Sequence, residues 1–191
     1  MSINLVKGEN INLSKEIPNL KSVIVEICWD LDDEHQKGKF DLDVGAFLLK
    51  NDGKVRNDLD FIFYNCLKEN KNDCVIHQWK DIKKIVDREV FKVDFARIPE
   101  EIFKIPFTLT IYKGEKRNQN FKHLTKALIR VINADSGKEI ASYTIVERVD
   151  AIVSMIFAEL YCHNGDWKFK AIGQGFAKGM PALEEHFGVG C

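Results

Sequence analysis

The sequence contains few of the residues that mark special structural classes. Its 191 residues include five cysteines and four prolines. The number of cysteines is odd and no two are spaced as CxxC, which argues against a disulfide scaffold and against a zinc ribbon. No apolar run approaches the ~20 residues that a membrane-spanning helix needs, so no membrane insertion is expected. The N-terminus lacks the basic block and apolar block of a signal peptide, which indicates a cytoplasmic protein.

Neither sign of charge is in excess. The chain has 28 Lys and Arg against 29 Asp and Glu, a formal net charge of -1. This balance gives no general reason to expect nucleic acid or an anionic membrane as a partner. Apolar residues make up 45% of the chain, too many for a disordered protein. No linker-like segment divides the chain, and we therefore expect a single domain over residues 1–191.

Most periodic segments are typical of β-strands. Asn164-Gly165 tolerates the positive φ angles of a type I′ turn and predicts a hairpin over 161–169. Short strands separated by turn residues predict a mainly β protein, a β-sandwich with a few short helices. The other predicted strands lie at 22–29, 40–49, 60–65, 91–95, 107–112, 127–133 and 139–145.

Helical signals are few. The segment 181–187 starts with proline and is followed by glycine, which predicts a short helix. Pro99-Glu100-Glu101-Ile102 predicts a helical turn and 118–124 a short helix, whereas 150–160 fits either a helix or a strand. Gly173-Gln174-Gly175 does not complete a GxGxxG fingerprint and predicts a backbone turn.

Acidic residues cluster between positions 30 and 60. Asp41 and Asp43 point to the same face of a strand, about 7 Å apart, and Asp60 lies across the predicted hairpin. Close carboxylates repel each other unless a cation lies between them, and oxygen-rich clusters suit calcium. The alternative is a solvated loop with surface carboxylates paired with Arg56 or with lysines.

A second cluster is basic, and groups suited to catalysis are sparse. Between positions 113 and 130 the chain has six Lys and Arg against one acid, which would suit an acidic partner, a phosphate or simply a solvated surface. The five histidines are isolated, and none lies in an HExxH frame. Cys28 and Cys66 are expected to be buried thiols. The basic residues are Lys113, Lys116, Arg117, Lys122, Lys126 and Arg130.

Short motifs are spread over nearly the whole chain. They include Leu5-Val6-Lys7-Gly8, Phe40-Asp41-Leu42-Asp43, Asp60-Phe61-Ile62-Phe63-Tyr64-Asn65, Gln119-Asn120-Phe121, and His163-Asn164-Gly165-Asp166-Trp167-Lys168-Phe169. Together they resemble the TerD family, which is associated with tellurium resistance and general stress response. The resemblance implies a β-sandwich that binds calcium through clustered acids. It also implies a non-enzymatic module that acts with other TerD-family or stress-complex proteins, in partly membrane-associated assemblies.

The chain departs from the family pattern after His77. Typical members have a GDN segment there, followed by a glycine- and aspartate-rich run, whereas this chain adds four Lys and Arg and keeps few acids. The resemblance therefore implies a degenerate site, with calcium binding weakened or lost. Its candidate ligands are Asp30, Asp41, Asp43, Asp60 and Asp81.

Three functions follow from these observations. The expected one is a non-enzymatic stress-response binding or scaffold module with a degenerate calcium site. The second is a calcium-dependent module that rebuilds the site from Asp30, Asp32, Asp41, Asp43 and Asp60. The third is a thiol-dependent oxyanion reductase that acts through Cys74 or Cys191.

Overall fold

Two six-stranded sheets make up most of the protein. The computed structural model describes residues 2–32, 40–63, 74–78, 87–146 and 150–190. Within these residues the strands are β1 (Ile3–Leu5), β2 (Asn10–Asn12), β3 (Ser22–Leu31), β4 (Leu42–Phe47), β5 (Phe61–Phe63), β6 (Val75–Gln78), β7 (Asp87–Asp94), β8 (Lys104–Ile111), β9 (Leu124–Asn133), β10 (Glu139–Ile145), β11 (Ser154–His163) and β12 (Asp166–Phe176). The helices are α1 (Leu13–Glu16), α2 (Gly114–Arg117) and α3 (Met180–Phe187).

The two sheets confirm the prediction of a mainly β fold. The first sheet has the order β1-β10-β9-β3-β7-β6, and the second has the order β2-β12-β11-β8-β4-β5. The β11–β12 hairpin turns at Asn164 and Gly165, with φ angles of 54° and 81°, as a type I′ turn requires. The ambiguous segment 150–160 leads into a strand, because β11 pairs on both sides with β8 and β12.

Local sequence was a poorer guide to the short helices and turns. Pro99–Ile102 forms a single turn, closed by the Ile102 N–H and the Pro99 carbonyl at 2.9 Å, and 118–124 contains only a 3-10 turn at Phe121–His123. Gly173-Gln174-Gly175 is not a turn but part of β12, beside a bulge in its pairing with β11. Gly173 has φ of 61°, and a Cβ there would lie 2.5 Å from the Tyr143 hydroxyl.

The main core lies between the two sheets. Phe91 of β7 and Phe107 of β8 are fully buried and meet across the sandwich, with ring centroids 5.5 Å apart. Tyr143 and Phe157 make a similar contact between β10 and β11 at 5.6 Å. Inward-facing residues of both sheets therefore supply the apolar burial that stabilises the fold.

A smaller core fixes α3 on the outer face of the second sheet. Phe47 stacks on Phe61 at 4.3 Å between ring centroids and contacts Phe187 at 4.5 Å. Leu183 of α3 is fully buried in the same cluster. The predicted helix at 181–187 is confirmed, and its end at Gly188 has the left-handed conformation typical of a glycine that terminates a helix.

The strand ends define the region that holds most of the candidate residues. β3 finishes where β7 and β9 begin, and β4 begins where β8 finishes. Near this end the Phe121 N–H donates to the Ile152 carbonyl at 2.8 Å, which joins the segments that precede β9 and β11. None of the helices in the described residues is long and apolar enough to cross a membrane.

Candidate functional site

The structure brings two of the predicted metal ligands together at the start of β4. Asp41 is exposed just before the strand, and Asp43 is half-buried within it. Burial, followed by the negative charges of Asp41 and Glu89, raises the pKa of Asp43 to about 6. This carboxylate therefore lies among other acids, and no ion pair among the described residues compensates its charge.

A buried hydroxyl lies next to Asp43. Thr110 of β8 is the direct cross-strand partner of Asp43, so both side chains point to the same face of the second sheet. The Thr110 hydroxyl is buried, and none of the residues that the structure describes forms a hydrogen bond with it. A carboxylate and a hydroxyl without partners offer oxygens of the kind that a hard cation accepts.

A buried histidine that was not among the predicted site residues lies at the edge of the same region. The His77 ring is buried against Phe91, with ring centroids 4.8 Å apart, and its Nε2 contacts the Glu89 carboxylate. Its Nδ1 atom is buried and has no hydrogen-bond partner within the described part of the chain. The signal was non-local, because the pairing of His77 with Phe91 between β6 and β7 brings Glu89 within reach. Glu89 thus contacts His77, and its negative charge also contributes to the raised pKa of Asp43.

The structure separates Asp60 from this acidic pair. Asp60 precedes β5, and the pairing of Phe47 with Phe61 puts it at the opposite end of the β4–β5 hairpin from Asp43. Its fully buried carboxylate accepts Arg56 Nε at 2.9 Å, Arg56 Nη2 at 2.7 Å and the Arg56 main-chain N–H at 2.9 Å. A guanidinium therefore already binds both oxygens of this carboxylate.

The other predicted ligands do not join the pair within the described residues. Asp30 is exposed near the end of β3 on the first sheet, directly across from Lys126. Asp81 lies outside the described residues, as do Cys66 and Cys191. Among the residues that the structure describes, no three His, Cys, Asp or Glu side chains are grouped closely enough to hold a metal ion.

The basic stretch divides into two parts. Arg130 belongs to an ion-pair group on the first sheet, where it and Arg88 bind the nearly buried carboxylate of Glu26. Lys113, Lys116, Lys122 and Lys126 are exposed instead. The run of six cations in the sequence is therefore not one surface in the structure.

Asp43→Asn is expected to stabilise the protein at pH 7.5 by about 2 kcal/mol, since one pKa unit corresponds to about 1.4 kcal/mol and solvent screens part of the effect. The Asp43 pKa is higher in the folded state than its ordinary 3.8, so folding favours the protonated form. Stability is therefore lost as the pH rises from about 4 to about 6. Urea unfolding in chelator at pH 4 and pH 7.5 measures the effect, with exposed Asp135→Asn as control. Equal pH dependence in wild type and Asp43→Asn would contradict it.

Fold and site together define a β-sandwich protein. It has a pair of carboxylates, Asp41 and Asp43, at one end of the β4–β5 hairpin, and a third carboxylate, Asp60, bound by arginine at the other end. The model of the TerD domain matches residues 1–187. The chain belongs to the TerD family.

Relatives over the full length carry names from stress physiology. The chain is 40% identical to the tellurium resistance protein TerD of Serratia marcescens, over 99% of this chain and 98% of that protein. It is 37% identical to general stress protein 16U of Bacillus subtilis, over the same shares. The crystal structure of a TerD homologue from Streptomyces coelicolor A3(2) has a TM-score of 0.63 at 19% identity, over 86% of this chain and 95% of that one. That similarity supports the fold.

Proposed function

We propose that the protein is a non-enzymatic stress-response module of the TerD type, which binds or scaffolds other proteins and has a degenerate calcium site. The observation that carries this proposal is the Arg56–Asp60 pair, because it places a protein cation on a candidate calcium ligand. Family membership and the names of the relatives support the stress-response role. We place the protein in the cytoplasm, with other TerD-family or stress-complex proteins as partners.

The calcium-dependent alternative has one observation in its favour. Asp41, Asp43 and the Thr110 hydroxyl would supply oxygens to a calcium ion, and among the described residues the hydroxyl has no hydrogen-bond partner and Asp43 no ion pair. Calcium takes six to eight oxygen ligands, which is more than this group offers. The alternative therefore depends on further ligands, such as Asp81, which lies outside the described residues.

The thiol-reductase alternative has little chemical support in the described residues. Burial raises the pKa of the Cys74 thiol, and burial followed by the charge of Glu26 raises that of Cys28. A raised pKa lowers the fraction of thiolate, which is the reactive form of cysteine. Both groups are thus poor nucleophiles at neutral pH.

Survival of a tellurite-sensitive strain that expresses the protein tests the proposal. We expect Cys74→Ser and the double variant Asp41→Asn/Asp43→Asn to protect as well as the wild type, because neither a thiol nor a complete calcium site is needed. Exposed Asp135→Asn is the matched control, and soluble protein levels are measured in parallel. Loss of protection in the Asp41/Asp43 variant at wild-type protein levels would favour the calcium module. Loss in Cys74→Ser would favour the reductase.

A further inference from the structure

A surface rich in lysine lies beyond the end of β8. Tyr112 is 41% exposed, and Lys113 Nζ lies 4.8 Å from the centroid of its ring. Lys116 and Lys122 are also exposed. Within the described part of the chain, no ion pair involves any of these three lysines. We call Tyr112, Lys113, Lys116 and Lys122 the lysine surface.

The acid nearest in sequence forms no ion pair with these lysines among the described residues. Glu115 lies among the lysines in the chain, but its carboxylate accepts the Gly179 N–H at 2.8 Å, at the start of α3. Asp41 borders the surface through its main-chain carbonyl, which accepts the Tyr112 N–H at 2.8 Å, and forms no ion pair with the lysines. The lysine surface therefore presents an exposed aromatic ring together with three lysines that form no ion pair among the described residues.

A surface of opposite charge lies beside the last turns of α3. Asp58 and Glu185 are exposed, and Asp58 accepts the Gly190 N–H at 2.8 Å just beyond the end of α3, near the half-buried Glu184. Leu59, which follows Asp58, is 46% exposed. Lys54 donates to the His186 carbonyl at 2.8 Å rather than to these carboxylates. We call Asp58, Leu59, Glu184 and Glu185 the acidic surface.

Helix α3 separates the two surfaces. Its first residue follows Gly179, which is bound by Glu115 beside the lysine surface. Its last residue, Phe187, accepts the Val55 N–H at 2.9 Å at the other end of the second sheet. Eight residues of helix span about 12 Å, so one molecule cannot bring the two surfaces together. A second molecule can.

We propose that the lysine surface of one copy of this chain docks on the acidic surface of another copy, in a head-to-tail contact. Each surface combines an exposed aromatic or apolar side chain with charged residues, Tyr112 with lysines on one side and Leu59 with carboxylates on the other. Protein interfaces have this arrangement, and tyrosine is enriched among the residues that anchor them. A head-to-tail contact uses two different surfaces, so it builds rings or open chains rather than a closed two-fold dimer.

Sedimentation velocity of the full chain in chelator tests this proposal, because chelator removes any contribution from calcium. We expect association at low salt that weakens at least tenfold in about 0.5 M NaCl, where the Debye length is only a few ångströms. Lys116→Glu/Lys122→Glu and Glu184→Lys/Glu185→Lys should each weaken it at least tenfold as well. An equimolar mixture of the two variants should associate again, since each keeps one native surface and the reversed surfaces are also complementary.

The control carries the same change of charge elsewhere. Lys92→Glu/Lys138→Glu alters two exposed lysines outside both surfaces and should associate like the wild type. A wild-type protein that stays monomeric at low salt would overturn the proposal, as would a variant mixture that stays monomeric or a control that loses association. These outcomes concern self-association only. The calcium and thiol experiments test the proposed function separately.

Discussion

Arg56→Met is expected to destabilise the protein by about 3–5 kcal/mol, the cost of leaving a buried charge without its partner. Asp60 is fully buried, and Arg56 supplies three of the hydrogen bonds to its carboxylate. Methionine retains much of the side-chain volume but donates no side-chain hydrogen bond. For a chain of this size the melting temperature should fall by about 6–20 °C.

Urea unfolding of three further variants isolates the pair. Asp60→Asn and Arg56→Met/Asp60→Asn complete a double-mutant cycle, and the double variant should lose less stability than the sum of the two single variants. Arg97→Met is the matched control, because its contact with Asp94 is long, at 3.7 Å, and exposed. That change should cost less than about 1 kcal/mol. Equal losses in Arg56→Met and Arg97→Met would show that the Asp60 carboxylate does not depend on Arg56.

Glu26→Gln is expected to cost about 2–3 kcal/mol, because it removes the anion between two guanidinium groups. Glu26 is 3% exposed, and Arg88 of β7 and Arg130 of β9 bind it from the two neighbouring strands. Arg88 and Arg130 remain partly exposed to water, which limits the loss of folding stability. Thermal and urea unfolding measure the effect.

Glu139→Gln provides the comparison for Glu26. It also removes a carboxylate from Arg130, but this contact is 3.4 Å long and Glu139 is 30% exposed. The expected cost is below about 1 kcal/mol. Equal losses of stability in the two variants would show that the contribution of Glu26 does not depend on its burial between the two arginines.

Much of the strand pattern could be predicted because it depends on neighbouring residues. Asn164-Gly165 forms the expected turn, and the alternation at 107–112 became part of β8. The short β1 and β2 escaped prediction because they exist only through pairing with β10 and β12. Helix α2 was missed because it begins after Lys113 and ends before Asn118, two residues with positive φ that local propensity disfavours.

The candidate site could be predicted only in part, and the reason is register. The spacing of Asp41 and Asp43 predicted that the two lie on one face of a strand; in the structure Asp41 precedes β4, and its charge acts on Asp43 within the strand. The positions of Asp60 and of His77 depend instead on how β4 pairs with β5 and β6 with β7. No single segment contains that information. The same limit applies to Arg130, which the sequence grouped with lysines and the fold pairs with Glu26.

We propose that Arg56 takes the place of calcium on Asp60, one of the candidate ligands, so that no complete calcium site remains. This claim implies a fold that does not depend on calcium and a pair, Asp41 and Asp43, that holds the ion poorly. Thr110 and His77 each keep one buried polar atom without a partner, which marks where the site is incomplete among the described residues.

Thermal unfolding in chelator and in millimolar calcium tests that claim most directly. Calcium that binds the folded state with a hundredfold excess over Kd stabilises it by about 2.7 kcal/mol, or roughly 5–10 °C in a chain of this size. We expect no measurable shift of the melting temperature for the wild type. A calcium-dependent rise of this size that disappears in Asp41→Asn/Asp43→Asn would contradict the claim and establish a functional calcium site.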